Sequence, residues 1–376
     1  MRLLHISDLH LGKRVNEYSM LEDQKDILKK IIDIADQEKA EGILIAGDVY
    51  DKPVPPAEAV RLLDQFLNSM VNRSIPVFFI SGNHDSQDRL AFGAALFRKS
   101  GVYTAGETLC EKITVQDEFG PLHIWMMPFL KPAYVKAACP GDDPETYTDA
   151  VRIALGTQKM DPEERNILIA HQFVTGAKTC ESEELSIGGL DQVDASVFDE
   201  FDYVALGHLH RPQSVGKEKI RYCGTPLKYS FSEIRDKKSV TILDIREKGN
   251  TKIETIPLIP KRDLVEIRGT YMELTAKSFY ENLDPEAYYH ITLTDPEDVL
   301  DALSKLRLIY PNMMKMDYDN DRARSQSEFE AAKEMERKGP AELLEEFYEM
   351  QNGQPLSEKQ RKLVLEMMEE IWEGSK

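Results

Sequence analysis

Aspartate, asparagine and histidine are concentrated in five short polar turns of the sequence. The turns hold Asp8 and His10 in SDLH, Asp48 in GDVYD, Asn83 and His84 in SGNHD, His171 in AHQF, and His208 and His210 in GHLH. Five of the eight histidines of the chain lie in these turns. GD and GN are common turn dipeptides, so a single match would mean little. Five matches, each after an apolar run, indicate that the turns share one chemical role.

The side chains of these turns are ligands of the kind that divalent transition metals prefer. Carboxylate, imidazole and amide groups form a nitrogen and oxygen shell without thiolate, which suits Mn, Fe or Zn better than Mg or Ca alone. One aspartate between two ions can bridge them, and Asp48 is the predicted bridge. The other predicted ligands divide into Asp8, His10 and His210 around one ion, and Asn83, His171 and His208 around the other.

Two ions held in this way predict chemistry at a phosphate. Ions about 3.5–4 Å apart clamp a phosphoryl group, polarise it and lower the pKa of a shared water, which becomes the nucleophile. No serine or cysteine nucleophile is then needed. His84 remains beside the Asn83 ligand, and we expect it to stabilise the charge on the phosphorane or to protonate the leaving oxygen. Asp85 would orient His84 or a ligand through a hydrogen bond from the second coordination shell.

Strands and helices must bring these distant turns together. The apolar runs before the turns are RLLHI, GILIA, IPVFFI, NILIA and DYVAL, and unbroken runs of this length are typical of strands covered on both faces. Helical patterns lie between the runs. Residues 22–40 carry isoleucines on one side, at positions 27, 31 and 34, and residues 56–71 repeat Leu62, Phe66 and Met70 every four residues. The alternation predicts an α/β core with the ligands at the carboxyl ends of its strands.

Three histidines lie outside the turns. His5 alternates with apolar neighbours in a predicted strand, and His123 and His290 lie in β-like segments without ligand-type neighbours. We interpret all three as structural.

Composition limits the class of protein. The chain has 376 residues, of which 41 % are hydrophobic and 30 % charged, which predicts a globular protein of more than one domain. No apolar stretch is long enough for a membrane span, and the N-terminus does not resemble a signal peptide. Four scattered cysteines without a CxxC pair predict reduced thiols in a cytoplasm. The net charge of -19 argues against strong DNA binding by the bare chain, although metal ions or a partner could supply positive charge.

The pattern of predicted secondary structure changes after residue 212. RYCGTP, SVTILDI and KIETIPLI predict a β-rich end to the first domain. Residues 263–318 predict a small second domain of order strand, helix, strand, helix, strand, with the second helix over residues 296–310. A polar stretch follows, which is either a linker or an exposed helix.

The last segment predicts two amphipathic helices. Their apolar residues are Leu343, Leu344, Phe347 and Tyr348 in the first, and Val364, Met367, Met368, Ile371 and Trp372 in the second. Ser357 and Gln360 have the spacing of a capping box at the start of the second helix. Two helices of this size cannot enclose a core of their own. They either pack on the main body or form a helical hairpin that binds another protein.

Taken in order, D-x-H, GD, GNHD, a single histidine and GHxH are similar to the pattern of the calcineurin-like metallophosphoesterases. Within that superfamily, the sequence resembles the nuclease subunits that bacteria pair with an SMC-like ATPase. The resemblance is carried by LLHISDLHLGKRVNEYSMLEDQ, ILIAGDVYDKPVPPAEA, FISGNHDSQDRL, ILIAHQFVTG, YVALGHLHRPQ and IRYCGTPLKYSFSE. The resemblance extends to the second domain in its position along the chain and its residue pattern. It extends to the last segment only in the amphipathic character of its two predicted helices.

The resemblance implies a fold and four segments. Residues 1–260 would form the nuclease domain, an α/β sandwich of two sheets flanked by helices. Residues 261–320 would form a small α+β capping domain, and residues 321–339 a linker. Residues 340–376 would form a helix-loop-helix that binds the partner ATPase through Leu343, Leu344, Phe347, Tyr348, Met367, Met368, Ile371 and Trp372.

The resemblance also implies a cofactor, an activity and partners. The predicted ligands would bind two Mn(II) ions, and His84 would be the catalytic histidine. The activity would be cleavage of DNA, as a 3'–5' exonuclease on duplex ends and an endonuclease on single strands and hairpins, in DNA repair, recombination and replication. ATP would bind to the partner, in agreement with the lack of a GxxxxGK[ST] motif. The complex would be a heterotetramer with two copies of each subunit.

Homodimerisation is implied through helices of the nuclease domain. Leu90, Phe92 and Phe97 would face a second copy, or they are core residues.

Two other functions stay open. A small-molecule phosphatase or phosphodiesterase would need neither a capping domain nor a terminal hairpin. A DNA-end tether would bind without cleaving. Basic residues near the turns, Lys13 and Arg89 among them, either contact phosphate or are ordinary surface charges.

Overall fold

The computed structural model of the chain describes residues 1–105, 108–180, 183, 191–320, 348, 356–357 and 360–361. The chain divides into two compact units. The first unit is Met1–Glu183 together with Gln192–Val265, and the second unit is Glu184–Asp191 together with Glu266–Lys376. No helix within the described ranges is both long enough and apolar enough to cross a membrane. The predicted linker, residues 321–339, lies outside the described residues.

The first unit contains most of the regular structure. Its described strands are β1 (Arg2–Ile6), β2 (Arg14–Val15), β3 (Tyr18–Ser19), β4 (Gly42–Ala46), β5 (Val77–Ile80), β6 (Val102–Thr104), β7 (Glu111–Asp117), β8 (Gly120–Met127), β9 (Arg165–His171), β10 (Phe173–Val174), β11 (Gln192–Val193), β12 (Tyr203–Gly207), β13 (Gln213–Val215), β14 (Lys217–Tyr222), β15 (Ser239–Ile245) and β16 (Thr251–Pro257). Its described helices are α1 (Leu21–Gln37), α2 (Ala57–Val71), α3 (Gln87–Ala91), α4 (Ala94–Phe97), α5 (Pro132–Ala138) and α6 (Tyr147–Gly156).

The two long helices predicted from apolar periodicity are confirmed. α1 buries its three regularly spaced isoleucines, and α2 buries Leu62, Phe66 and Met70. Pro56 immediately precedes α2, where its missing backbone N–H removes no helical hydrogen bond. The 3.6-residue period therefore identified the buried face of both helices.

All five apolar runs are strands, as predicted, and they are divided between two sheets, as the expected sandwich requires. β1, β4 and β5 lie in a sheet of order β16-β15-β1-β4-β5-β6, and β9 and β12 lie in a sheet of order β13-β14-β12-β9-β8-β7. β1, β4 and β5 are parallel neighbours, and so are β8, β9 and β12. The ligand-bearing turns therefore come from two layers.

The two sheets enclose one apolar core. Its residues include Leu3, Leu44, Ala46, Phe78, Ile80, Ile124, Met126, Ile167, Ile169, Tyr203 and Ala205. The alternate positions of β4, Ile43 and Ile45, are also fully buried. A strand that is buried on both faces needs an apolar residue at every position, which explains the unbroken runs. The expected α/β sandwich of two sheets flanked by helices is confirmed.

Two glycines allow the sheets to approach each other at the site. A Cβ atom on Gly207 would lie 1.8 Å from the carbonyl oxygen of Ala46, and a Cβ atom on Gly47 would lie 2.3 Å from Nδ1 of His171. Nδ1 of His171 lies 2.8 Å from the same Ala46 oxygen. There is no room for a side chain at either glycine. The GD and GH dipeptides therefore mark the places where the two sheets meet.

The second unit contains a three-stranded sheet of order β17-β18-β19, except for the first two residues of β17, which belong to the first unit. Its strands are β17 (Leu264–Gly269), β18 (Tyr288–Leu293) and β19 (Met313–Tyr318), and its described helices are α7 (Tyr271–Leu274), α8 (Lys277–Tyr280) and α9 (Ala302–Leu306). The predicted order of strands and helices is confirmed, but the helix expected over residues 296–310 is shorter. Asp301 has a φ of 57°, which a right-handed helix cannot include, so α9 begins only after it.

Gly207→Ala tests the close approach of the sheets. We expect the variant to lose about 1–3 kcal/mol of unfolding free energy or more, because its methyl group would collide with the Ala46 carbonyl oxygen. Denaturant unfolding followed by circular dichroism measures the change. Gly156→Ala is the matched control, since no atom lies within 4 Å of its added Cβ and alanine favours the helix. Equal stability of both variants would contradict the steric argument.

Candidate metal centre

The five turns meet beside the ends of the central strands. The backbone N–H of Asp8 donates to the Gly47 carbonyl oxygen at 3.0 Å, and the N–H of His10 donates to the Asp48 oxygen at 2.9 Å. The backbone N–H of His208 donates to Oδ1 of Asp8 at 3.0 Å. The first two bonds join neighbouring turns of one sheet, and the third joins the two sheets. The cluster is therefore held by the backbone before any ion is considered.

Several of these residues adopt a backbone conformation that is rare for side-chain-bearing residues. Asp8, His10, Asp48 and His208 have φ angles of 51°, 43°, 47° and 103°. Such conformations cost of order 1–3 kcal/mol each and persist where the surroundings impose them, often at functional sites. Four of them among the predicted ligands indicate that the fold is constrained to aim these side chains.

Asp48 lies in the middle of the cluster. Its Oδ2 atom is 3.4 Å from Nε2 of His171, 3.8 Å from Nε2 of His10 and 3.9 Å from Nε2 of His84. Its Oδ1 atom accepts the backbone N–H of His84 at 2.9 Å. One carboxylate therefore faces histidines that follow strands of both sheets, which is the position that a bridging ligand requires.

The other predicted ligands lie close to one another and to Asp48. Nε2 of His10 lies 3.1 Å from Nε2 of His210, and ligand atoms of both lie close to Asp8. Oδ1 of Asn83 lies 2.9 Å from Nε2 of His171 and 3.0 Å from Nδ1 of His208. Ligand atoms of Asp8 also lie close to those of Asp48 and His171, so the two predicted ligand sets join in one cluster.

The converging atoms fit divalent cations. Two buried ring nitrogens, Nδ1 of His10 and Nε2 of His208, have no hydrogen-bond partner in the described part of the chain. Burial lowers the pKa of His208 to about 3 and lowers that of His10 well below its usual value. Both imidazoles are therefore neutral and present lone pairs. A dense set of nitrogen and oxygen acceptors that face one another is stabilised by a cation between them.

The charges of the cluster lead to the same conclusion. Burial, with the nearby Asp48 carboxylate adding to it, raises the pKa of Asp8 to about 6. Burial alone would lower the pKa of His171, but the Asp48 carboxylate outweighs it and raises the value to about 9. Two carboxylates buried side by side thus draw positive charge to themselves. Cations and protons compete for this position.

His84 lies at the edge of the cluster and remains partly exposed. Its Nδ1 atom is 3.2 Å from the backbone oxygen of Asp51, and its ring lies 4.9 Å from that of His10. A hydrogen bond donated from Nδ1 to this carbonyl leaves Nε2 turned toward Asp48. His84 is therefore positioned to contact a group bound at the cluster.

Asp85 stabilises the turn that carries Asp48. Its carboxylate accepts the backbone N–H groups of Gly82 at 2.9 Å, Val49 at 3.0 Å and Tyr50 at 2.9 Å. Burial raises the pKa of Asp85 to about 7, with a further contribution from the charge of Asp48. The contacts of Asp85 are thus with the backbone on either side of the predicted ligands.

Sequence reasoning missed a buried pair behind His210. Oε1 of Glu233 lies 3.8 Å from Nδ1 of His210, and Lys238 binds Glu233 at 2.5 Å and the His210 carbonyl oxygen at 2.8 Å. Burial would lower the pKa of His210, but hydrogen bonding to Cys180 and Glu233 raises it to about 10. A carboxylate behind a ligand imidazole fixes the ring orientation. The only sequence signal was an acidic residue in the SFSE turn.

Ser7 was missed for a similar reason. Its hydroxyl donates to Oδ2 of Asp8, and Sγ of Cys223 lies 3.0 Å from the same hydroxyl. A serine next to an aspartate gives no signal in a sequence, because the hydrogen bond depends on the turn geometry. Together with the His208 backbone bond, it fixes both oxygens of Asp8.

None of the three histidines interpreted as structural belongs to a group of possible metal ligands among the described residues. Nδ1 of His5 is 2.9 Å from the Tyr203 hydroxyl, and His123 contacts Glu164 at 2.6 Å. His290, in the second unit, contacts Asp317 at 2.7 Å.

Most residues of the predicted partner surface are not described. Leu343, Leu344, Phe347, Met367, Met368, Ile371 and Trp372 lie outside the described residues, as does Val364. The predicted capping box is confirmed, since the Gln360 N–H donates to Oγ of Ser357 at 3.4 Å and the Ser357 N–H donates to Oε1 of Gln360 at 3.0 Å. Nε2 of Gln360 also donates to the Tyr348 hydroxyl at 2.8 Å.

Comparison with known families and proteins agrees with the geometry. The family of calcineurin-like phosphoesterases matches residues 1–212. A family described as the type 5 capsule protein repressor C-terminal domain matches residues 260–352. The chain is 34 % identical over 364 residues to a Staphylococcus epidermidis protein that is named as a subunit of the nuclease SbcCD, and the match covers 96 % of each chain.

Two solved structures also align with the chain. The TT1561 protein of Thermus thermophilus aligns with a TM-score of 0.42 and 15 % identity, over 69 % of this chain and 99 % of its own. A dimetal phosphatase from Danio rerio aligns with a TM-score of 0.40 and 11 % identity, over the same shares of 69 % and 99 %.

Asp48→Asn tests whether this cluster binds cations. The amide keeps the shape of the side chain but removes the charge that faces His171 and His10. We therefore expect the variant to retain at most a small fraction of the divalent metal that the wild-type chain retains after equilibration and desalting. Elemental analysis of the protein measures this directly. His123→Gln, a histidine outside the cluster, should keep the full metal content, and an unchanged content in Asp48→Asn would contradict the assignment.

Proposed function

Because the chain belongs to the calcineurin-like phosphoesterase family and is a phosphodiester hydrolase, we propose that it is a manganese-dependent DNA nuclease whose metal centre is the Asp48 cluster. The observation that carries the proposal is the position of the Asp48 carboxylate between two groups of ligands from two sheets. Similarity over nearly the whole chain to a protein named as part of a nuclease supports DNA as the substrate.

Each predicted site residue has a separate proposed role in metal binding. Asp8, His10 and His210 would hold one ion, Asn83, His171 and His208 the other, and Asp48 both. Bound there, two divalent cations would polarise the phosphodiester and lower the pKa of a water molecule. Four imidazoles and one amide favour Mn(II), Fe or Zn over Mg or Ca. Asp85 would keep the Asp48 turn rigid through the backbone of Val49 and Tyr50.

His84 is the proposed catalytic residue. It is not needed as a ligand, it remains partly exposed, and the Asp51 carbonyl can hold its ring by Nδ1. Nε2 would then meet the phosphate, where a protonated imidazole stabilises negative charge or donates a proton to the leaving oxygen.

The segments outside the nuclease domain would serve assembly. We assign residues 1–260 to the nuclease domain, residues 261–320 to a capping domain, residues 321–339 to a linker, and residues 340–376 to a helix-loop-helix for an SMC-like ATPase of the SbcC type. The relative's name refers to a complex of this kind. The net charge of -19 fits a subunit that shares the DNA backbone with a partner, since isolated DNA-binding chains are usually basic.

A homodimer through α2, α3 and α4 would complete a heterotetramer with two copies of each subunit. Phe92 and Phe97 are 81 % and 42 % exposed, whereas Leu90 is buried. Exposed aromatic residues in a short helix and in the turn before it are typical of a surface that another chain covers. In this complex the chain would act in the cytoplasm, as a 3'–5' exonuclease on duplex ends and an endonuclease on single strands and hairpins, in DNA repair, recombination and replication.

His84→Gln tests the catalytic role. We expect it to retain the wild-type metal content but to lose DNA cleavage by about 10²- to 10⁴-fold, the range for loss of a general acid. The assay uses labelled duplex, single-stranded and hairpin DNA with Mn or Mg, with and without the partner ATPase. A wild-type protein that cuts none of these would end the nuclease proposal. Cleavage by the wild type that is absent in His84→Gln would exclude a purely tethering function.

Deletion of residues 340–376 tests the partner segment. We expect the truncated chain to hydrolyse bis(p-nitrophenyl) phosphate with Mn at the wild-type rate, because every proposed ligand precedes residue 212. It should no longer co-elute with the ATPase in size-exclusion chromatography. Retained co-elution would assign the partner contacts to another part of the chain.

A further inference from the structure

Phe129 is a partly exposed aromatic residue beside the predicted metal ligands. Phe129 lies 6.1 Å from the ring of His171 and 6.2 Å from that of His208, measured between centroids. Phe173 and Tyr229 lie at similar distances from the predicted ligands, but they are only 6 % and 4 % exposed. Phe129 is partly exposed. It is therefore the ring of the three that a bound molecule can reach.

The position of Phe129 is fixed by the strands that carry the ligands. It follows β8, two residues after Met127, and its backbone N–H donates to the Ser81 carbonyl oxygen at 3.0 Å. Ser81 directly follows β5 and precedes the Asn83 turn. The ring is nearly parallel to the His208 imidazole, with an angle of 21° between their planes. Phe129 is thus pre-positioned beside the ligand set that contains Asn83.

A lysine that has no carboxylate partner among the described residues accompanies this ring. Nζ of Lys131 lies 5.9 Å from the Phe129 ring centroid, and Lys131 is exposed. No ion pair involves Lys131 within the described ranges, whereas Lys13 binds Asp51 at 2.7 Å and Arg211 binds Asp236 at 2.9 Å. In a chain with a net charge of -19, an unpaired cation beside the metal centre is available to an anionic ligand.

More aromatic surface surrounds the pair. Tyr147, at the start of α6, lies 6.5 Å from the Phe129 ring, and Tyr134, on α5, is 55 % exposed. Aromatic rings interleaved with a basic side chain are the usual construction of surfaces that bind unpaired nucleotides. The ring stacks on a base and the cation meets the phosphate.

We propose that Phe129 and Lys131 form a subsite for one nucleotide next to the scissile phosphate, with its base stacked on the Phe129 ring and a phosphate paired with the Lys131 ammonium. The inference rests on the proposed function as a DNA nuclease. A ring this close to His171 and His208 can reach only a nucleotide that flanks the phosphate at the metal centre. The subsite therefore lies on the side of the Asn83, His171 and His208 ligands.

Two properties of cleavage follow from a stacking subsite. Every base has a π-face, so the subsite accepts all four bases and adds affinity without sequence preference. The base must also leave its neighbours in the strand before it can stack on a protein ring. The subsite thus favours frayed ends, single strands and hairpin loops over paired interior positions.

The test is a double-mutant cycle that combines a change in the protein with a change in the DNA substrate. Single-stranded oligonucleotides carry one cleavable linkage, with either a normal nucleotide or an abasic tetrahydrofuran residue beside it. We expect the abasic residue to reduce kcat/KM of the wild type by about 5- to 150-fold, the range for loss of one base–aromatic stack. Phe129→Ala should lose a similar factor on normal DNA and almost nothing further on abasic DNA. Phe129→Trp should restore the preference for the normal nucleotide.

Phe119→Ala is the matched control. Phe119 precedes the other end of β8, and its ring has the Arg165 guanidinium 5.9 Å from its centroid, so it combines an aromatic ring with a cation away from the metal centre. Phe119→Ala should leave the ratio of kcat/KM between normal and abasic DNA unchanged.

A second readout does not need cleavage. In the His84→Gln background, the fluorescence of a 2-aminopurine at the same position should rise on binding, because the base leaves its quenching neighbours in the strand, and Phe129→Ala should reduce this rise.

Lys131→Ala should weaken DNA binding and reduce the slope of log affinity against log salt by about 0.7, as expected for one lost phosphate contact. Lys136→Ala, on the helix that Lys131 precedes but paired with Asp143 at 2.5 Å, should not change the slope. If Phe129→Ala reduces cleavage of normal and abasic DNA equally, its role is to support the ligands and the subsite is refuted, while the nuclease proposal stands. A wild type that cleaves no DNA refutes both.

Discussion

Two carboxylates are buried next to each other in a site that positive charge must stabilise. Asp8 and Asp48 are almost fully shielded from water, and like charges in such surroundings repel strongly unless cations or hydrogen bonds compensate for them. The chain supplies both oxygens of Asp8 with donors, from the Ser7 hydroxyl and the His208 backbone. For Asp48 it supplies one backbone donor and a ring of imidazoles.

The demand for close ligand geometry explains otherwise unfavourable features of the fold. Four predicted ligands adopt positive φ angles, and glycine is required at positions 47 and 207 because a Cβ atom would overlap the opposite sheet. Proteins tolerate such local strain where it aims functional groups. Here the strain is confined to the turns, and the strands behind them are regular and apolar. The stability of the packed sheets therefore offsets the backbone strain in the turns that position the predicted ligands.

The sequence predicted what depends on residue type and local spacing. The apolar runs, the two long helices and the polar turns were recognisable because strand burial and helical periodicity leave a direct pattern. The assignment of strands to two sheets was not recognisable from the pattern alone, because a strand covered by a second sheet and a strand covered by a helix have the same composition. The partners of the ligands were also hidden. Glu233 contacts His210 from a turn, and Phe129 contacts His208 from the segment after β8. The number of residues between the partners matches neither the helical nor the strand period, so the sequence pattern does not reveal these contacts.

The origin of the ligands in two layers has a thermodynamic consequence. Asp8, Asp48 and Asn83 follow strands of one sheet, whereas His171 ends a strand of the other sheet and His208 and His210 follow its neighbour. An ion that binds both sets ties the layers together and has no equivalent in the unfolded chain. Such linkage would add about 2.7 kcal/mol per site when free cation exceeds its dissociation constant 100-fold. The melting temperature of the sandwich would then depend on the activity of the divalent cation around it, and the same chain would resist unfolding better in a cell with abundant cation than in one with little.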